Sequence, residues 1–191
     1  GCRLCGPPRF VGDVVVAGAC RRERPVGEGP AWLHTGEHVL AAGAALQIDD
    51  ILIEMDGPEP PSLDGSAGPF FRALEAAGIA PQGGRVEVLS LSAPIRVEHG
   101  ESWYEAYPAD ALSLEVAIDF PHPLIGQQRG RDAITPAAFA TELADARTFG
   151  FAHEVAYLRE RGLIKGGTTE NALVLGPDGV MANALRWTDE F

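Results

Sequence analysis

The chain has 191 residues, enough for one large domain or two small ones, each with its own core. Hydrophobic residues make up 46% and no apolar run approaches the roughly 20 residues of a membrane span, so it reads as a soluble globular chain. The net charge of −12 argues against a nucleic-acid partner, which needs a basic face to replace phosphate counterions.

The amino-terminal stretch "GCRLCGPPRF" has no apolar core of a signal peptide, and it begins with Gly rather than Met, as a fragment would. Three cysteines, Cys2, Cys5 and Cys20, are an odd set and form no disulfide framework, which fits a reducing, cytoplasmic setting. Cys2 and Cys5 with His34 and His38 imitate a zinc finger, and "HTGE" resembles a finger linker. The spacing excludes it: 28 residues separate Cys5 from His34, where a finger has about 12. "VGDVVVAG" is expected to be a strand and "RPVGEGP" a loop.

From Thr35 the pattern sharpens. Thr35 is placed to cap a helix whose apolar face carries Val39, Leu40, Ala44 and Leu46. "DDILIEMDG" reads as a strand ending in a turn, and "PEPPSLDGSAG" as a polar, proline-rich loop. "PFFRALEAAGI" is a helix with Pro at its start, Phe70, Phe71, Leu74 and Ala77 on one face, and Gly78 as its stop. "PQGG" at 81–84 is the expected linker, dividing the chain into units 1–82 and 85–191. Beyond it, "RVEVLSLSAPIRVEH", "SWYEAYPA" and "LSLEVAIDF" alternate as strands of an antiparallel sheet with one wet face. "PAAFATELADARTF" and "FAHEVAYLRERG" read as helices, and "ENALVLGPDGVMA" as two short strands around a Gly-Pro-Asp-Gly turn. Strands and helices in blocks favour an α+β fold over a doubly wound one.

Four constellations carry candidate chemistry. Glu37 and His38 are neighbours at a helix start and point about 100° apart, so one can hold a metal while the other addresses its water. The same pair also suits an ordinary solvated helix end. Asp64 in "LDGSAGPFF" suits an N-cap or an Asx turn, before a helix end able to hold an anion. His122 in "IDFPHPLIG" sits on stiff backbone between two prolines, and a solvent-facing loop histidine is its plainer reading. In "DARTFGF" a helix breaks at Thr148-Phe149-Gly150, placing a hydroxyl and a ring at an element end. "KGGTTENA" lacks the glycine order of a phosphate-cradling loop and shapes a turn.

The segments "TGEHVLAAGAALQIDDILIEMDGPEPPSLDGSAGPFFRALEAAGI", "IDFPHPLIG", "ARTFGFAHEVAYLRERGLIKGGTTENALVL" and "LRWTDEF", in that order, resemble the UDP-3-O-acyl-N-acetylglucosamine deacetylases. These are the zinc amidases of lipid A synthesis. The resemblance runs from Thr35 to Phe191 and implies two small two-layer α+β domains with the site between them. It implies that His38 is a zinc ligand and Glu37 the base that deprotonates the attacking water. Thr148 would steady the oxyanion of the acetamide, Phe149 would lie close to the sugar, and Gly166 and Gly167 would turn beside an acyl passage. That passage would belong to an insert at about 150–181, with Tyr157, Leu158, Leu163 and Ile164 as candidates to line it or to pack its core. His34 receives no role.

The chain departs from the family pattern at both ends. Residues 1–33 match poorly, and Gly36 stands where a β-branched residue is usual. The family's His-x-x-x-Asp segment and its later general-acid histidine would follow Phe191. One histidine binds zinc weakly, so the expectation is an inactive chain as given and an active longer parent. A truncated relative that binds acylated ligands, or a metal amidase with another substrate, are the alternatives.

Overall fold

Alanine repeats after Gly36 let the backbone coil closely, and Glu37–Ala45 forms helix α1. The computed structural model describes residues 35–51, 53, 59–84, 90–160, 168, 170–181 and 183–191. The strand expected at "VGDVVVAG", the cysteines, His34, Leu163, Ile164, Gly166, Gly167 and most of "DDILIEMDG" lie outside them.

Helix α1 buries Val39, Ala42, Gly43 and Ala45. Leu40 is half-buried and Ala44 exposed, so the buried stripe is rotated from the expected one. Thr35 does not cap it. Gly36 is the N-cap, without a side-chain bond, while Thr35 adopts φ +50° and donates its hydroxyl to Glu59 at 3.2 Å. Helix α2, Gly68–Ala77, starts with Pro69 in its first turn and stops at Gly78, φ +78°. Phe71 and Leu74 are its buried residues; Phe70 is only partly buried and Ala77 is exposed.

Two hairpins follow. β1, Ile95–His99, pairs with β2, Ser102–Ala106. Their two-residue turn has Gly100 in front at φ +61°, as a tight hairpin turn favours. β3, Ser113–Phe120, pairs with β4, Gly126–Ala133, over eight positions. β4 reads "GQQRGRDA" and has no apolar alternation; pairing with β3 makes it a strand. Among the described residues, the expected single sheet with one wet face is two separate ladders. Ile95, Val97, Tyr104, Leu114 and Val116 are all exposed on them.

The helix expected over "PAAFATELADARTF" is short. Thr135 caps α3, Pro136–Ala138, accepting from Ala138 N–H at 3.1 Å, and the chain widens into a π turn at Phe139–Leu143. Next, β5, Phe149–Phe151, is a strand where a mere helix break was expected. Then come α4, Ala152–Glu160, and β6 and β7, Leu173–Gly176 and Gly179–Val180. β5 and β6 run parallel, and β6–β7 is the expected hairpin.

The core joins Ala42 and Ala45 of α1 and its C-cap Leu46 to Phe71 and Leu74 of α2 and to Phe139 and Ala144 beyond the 81–84 segment. Phe71 and Phe139 meet at 5.5 Å between ring centroids. The carboxyl end is fastened by a buried ion pair, Arg147 Nε to Glu190 Oε1 at 2.6 Å. Burial pushes the Glu190 carboxyl up, but hydrogen bonds from the Arg147 guanidinium and from the Arg186 and Arg147 amides outweigh it, with the Arg147 charge, and hold it below its ordinary value.

Phe71→Ala should cost about 3–5 kcal/mol in urea unfolding, since it empties the centre of this core. Glu190 is ionised more readily folded than unfolded. Its contribution is therefore present above the unfolded carboxyl value of 4.5 and is lost as pH falls through the lower folded value. Unfolding followed downward from about pH 5 should show a steeper loss in the wild type than in Glu190→Gln.

Candidate active site

Glu37 and His38 stand in the first turn of α1, Glu37 exposed and His38 half-buried. A carboxylate in a first turn is favoured by the helix dipole. The inner residues Val39 and Ala42 fix the rotation of the turn, so the pair lies off the packed face.

Thr148 sits at a crossing of three segments. Its N–H donates to Gly65 O at 2.8 Å, and its carbonyl accepts from Leu173 N–H at 3.0 Å. Ser66 and Arg147 form an antiparallel bridge beside it. Gly65 has φ +84°, and a Cβ there would lie 1.7 Å from Asn171 O, so no side chain fits. The loop holding Gly65 is braced by Asp64, which accepts from Ser66 N–H at 3.1 Å and from its hydroxyl at 2.8 Å. Asp64 is thus an Asx turn and not the N-cap of α2, which is Ala67. Arg186 donates to the other Asp64 oxygen at 2.9 Å. Burial pushes the Asp64 carboxyl up, yet hydrogen bonds from Arg186 and Ser66 and the Arg186 charge hold it below its usual value.

Phe149 is half-buried in a group of edge-on rings, 5.6 Å from Phe120, 6.3 Å from Phe151 and 5.3 Å from Phe191. Beside it opens a cavity of about 580 Å³, lined by Phe120, His122, Phe151, His153, Glu154 and Leu175 among others. His122 is buried, contrary to the solvent-facing reading. Its Nε2 lies 2.8 Å from Gly176 O, and Leu124 N–H donates to its Nδ1 at 3.2 Å. A carbonyl only accepts and an amide only donates, so the neutral Nε2–H tautomer satisfies both. The histidine therefore ties the β3–β4 turn to the end of β6.

The fold thus brings Thr148 and Phe149 together with Phe191, and neither Glu37 nor His38 hydrogen-bonds to Thr148 among the described residues. Tyr157 lies half-exposed on α4. Arg147, Glu190 and Phe151 carry no signal in the sequence taken singly, because their partners lie far along the chain; the "FGFAH" run was the available cue to an aromatic cavity wall. Among the described residues no three His, Cys, Asp or Glu side chains gather to hold a metal. A catalytic zinc takes three protein donors, so the described residues do not by themselves fit one.

The sequence profile of the UDP-3-O-acyl N-acetylglycosamine deacetylases matches residues 17–191. A protein named UDP-3-O-acyl-N-acetylglucosamine deacetylase from Thermosynechococcus vestitus is 45% identical over 160 residues, covering 84% of this chain and 55% of that protein. Proteins of the same name from Oleidesulfovibrio alaskensis and Brucella ovis are 45% and 40% identical over 158 and 168 residues, covering 82% and 87% of this chain and 52% and 59% of theirs. The chain spans about half the length of the curated relatives it matches. A match over residues 17–191 covers most of the chain, and the chain belongs to the UDP-3-O-acyl-N-acetylglucosamine deacetylase family.

Proposed function

We propose that the full protein containing this chain hydrolyses the acetamide of a UDP-linked, 3-O-acylated N-acetylglucosamine, releasing acetate and the free amine, in lipid A synthesis. The observation that carries the reading is Thr148 held by both backbone groups beside Phe149 and an aromatic cavity, in a chain of this family. In this proposal Glu37 takes a proton from water as its oxygen bonds to the acetamide carbon. The Thr148 hydroxyl donates a hydrogen bond to the oxygen where negative charge develops, a contact stronger in the transition state than in the ground state. The C–N bond then breaks as the oxyanion collapses to acetate, and the nitrogen leaves as the free amine with the proton that Glu37 took from water. Phe149 shields the sugar.

His38 is the proposed metal donor, for zinc. At least one further donor would have to come from outside the described residues. Gly166 and Gly167 are proposed to turn beside the acyl chain in a segment of about 150–181. The 81–84 linker, exposed throughout, supports a boundary between units 1–82 and 85–191, although Phe139 and Ala144 of the second unit share the core of the first. The described residues contain no helix long and apolar enough to cross a membrane, and the odd cysteine count supports a cytoplasmic place.

The test is acetate release by the product of the full reading frame. Turnover of the UDP-linked sugar should exceed that of simple N-acetyl sugars. Glu37→Gln and Thr148→Val should each lower kcat by about 10²–10³-fold. Undiminished turnover in both variants would contradict the assigned roles, and equal turnover of simple sugars would contradict the substrate.

A further inference from the structure

We propose that Arg147 and Glu190 are a positioning pair, which sets the Thr148 hydroxyl for the hydrolysis proposed above and rests on that reading. Both are buried, 8% and 2% exposed, and neither lines the cavity. The Glu190 carboxylate accepts four hydrogen bonds. Oε1 takes Arg147 Nε at 2.6 Å and Arg147 N–H at 3.3 Å; Oε2 takes Arg147 Nη2 at 2.9 Å and Arg186 N–H at 2.6 Å. Arg147 Nη2 also donates to Ala184 O at 2.7 Å.

The bond to the Arg147 amide is the informative one. It grips the main chain, not only the side chain, at the residue before Thr148. With the Thr148 N–H on Gly65 and its carbonyl on Leu173, three polar backbone groups of residues 147 and 148 have fixed partners. A β-branched side chain has little χ1 freedom once its backbone is set, so the hydroxyl direction follows. The next residue repeats the arrangement: Phe191 presents its ring edge-on to Phe149 at 5.3 Å. Glu190 and Phe191 thus hold positions 147 and 149 on either side of Thr148.

A stabilising role alone is a weak account of such a pair. Desolvating two charges offsets most of their attraction, and apolar replacements are often neutral or better. What a bidentate carboxylate–guanidinium pair adds is fixed geometry.

The experiment compares Glu190→Gln, Thr148→Val and the double variant in the product of the full reading frame. Glu190→Gln should lower kcat roughly tenfold or more, as small misplacements do, with KM within about twofold. The same change should have no further effect on kcat in the Thr148→Val background, because Glu190 acts through Thr148. An unaltered kcat in Glu190→Gln, or an equal loss with and without Thr148, overturns the proposal. If the wild type releases no acetate from the UDP-linked sugar, the functional reading fails, and positioning is read from amide exchange. Loss of protection at Thr148 in Glu190→Gln with Phe71 still protected upholds the pair's role; equal loss at both sites overturns it.

Discussion

Three stretches of chain pass within hydrogen-bond distance of one another at Thr148, and they do so because position 65 has no side chain. Gly65 supplies the carbonyl that takes the Thr148 amide, in a left-handed conformation and with Asn171 O where a Cβ would stand. The Asp64–Ser66 turn braces the loop from one side, and Arg186 clamps Asp64 from the other. Shift this crossing and the strand of Phe149 loses its anchor, as do the parallel pairing with β6 and the aromatic wall of the cavity. The candidate oxyanion donor is therefore held by backbone contacts from parts of the sequence that are far apart.

The two halves of the proposed chemistry are supported differently. Glu37 and His38 ride on a helix whose rotation is set by small residues packing on α2, and their own side chains are only partly covered. Thr148 directly precedes, and Phe149 begins, a three-residue strand that gains its order from neighbours: Gly65, Leu173 and the Arg147–Glu190 pair. A short strand has little intrinsic stability, so its geometry depends on those partners. The exposed apolar residues of the two hairpins contrast with this tightly held region.

Helix α2, the β6–β7 hairpin and three of the four hairpin strands were legible because their signals are local: a Pro start with a Gly stop, alternation, and a Gly-Pro-Asp-Gly turn. β4 was not legible, since a polar strand made by pairing leaves no period in its own sequence. Thr35 looked like a cap by residue type, but its positive φ and its bond to Glu59 take the hydroxyl elsewhere. His122 was misread for a related reason: two flanking prolines suggest an exposed loop, while burial came from Gly176, which meets it through tertiary packing. Glu37, His38, Thr148 and Phe149 stood out locally as candidates, while their particular roles came from the family resemblance. The ion pair behind Thr148 depends on contacts 43 positions apart, which no window of sequence displays.

The most direct measurement is the urea unfolding of Gly65→Ala. An alanine there meets both a disfavoured φ and the Asn171 carbonyl, so the crossing has to open. The account predicts a loss of about 2 kcal/mol or more, with the Thr148 amide exposed to exchange. A variant as stable as the wild type, with that amide still protected, would contradict the claim that Gly65 makes the crossing possible.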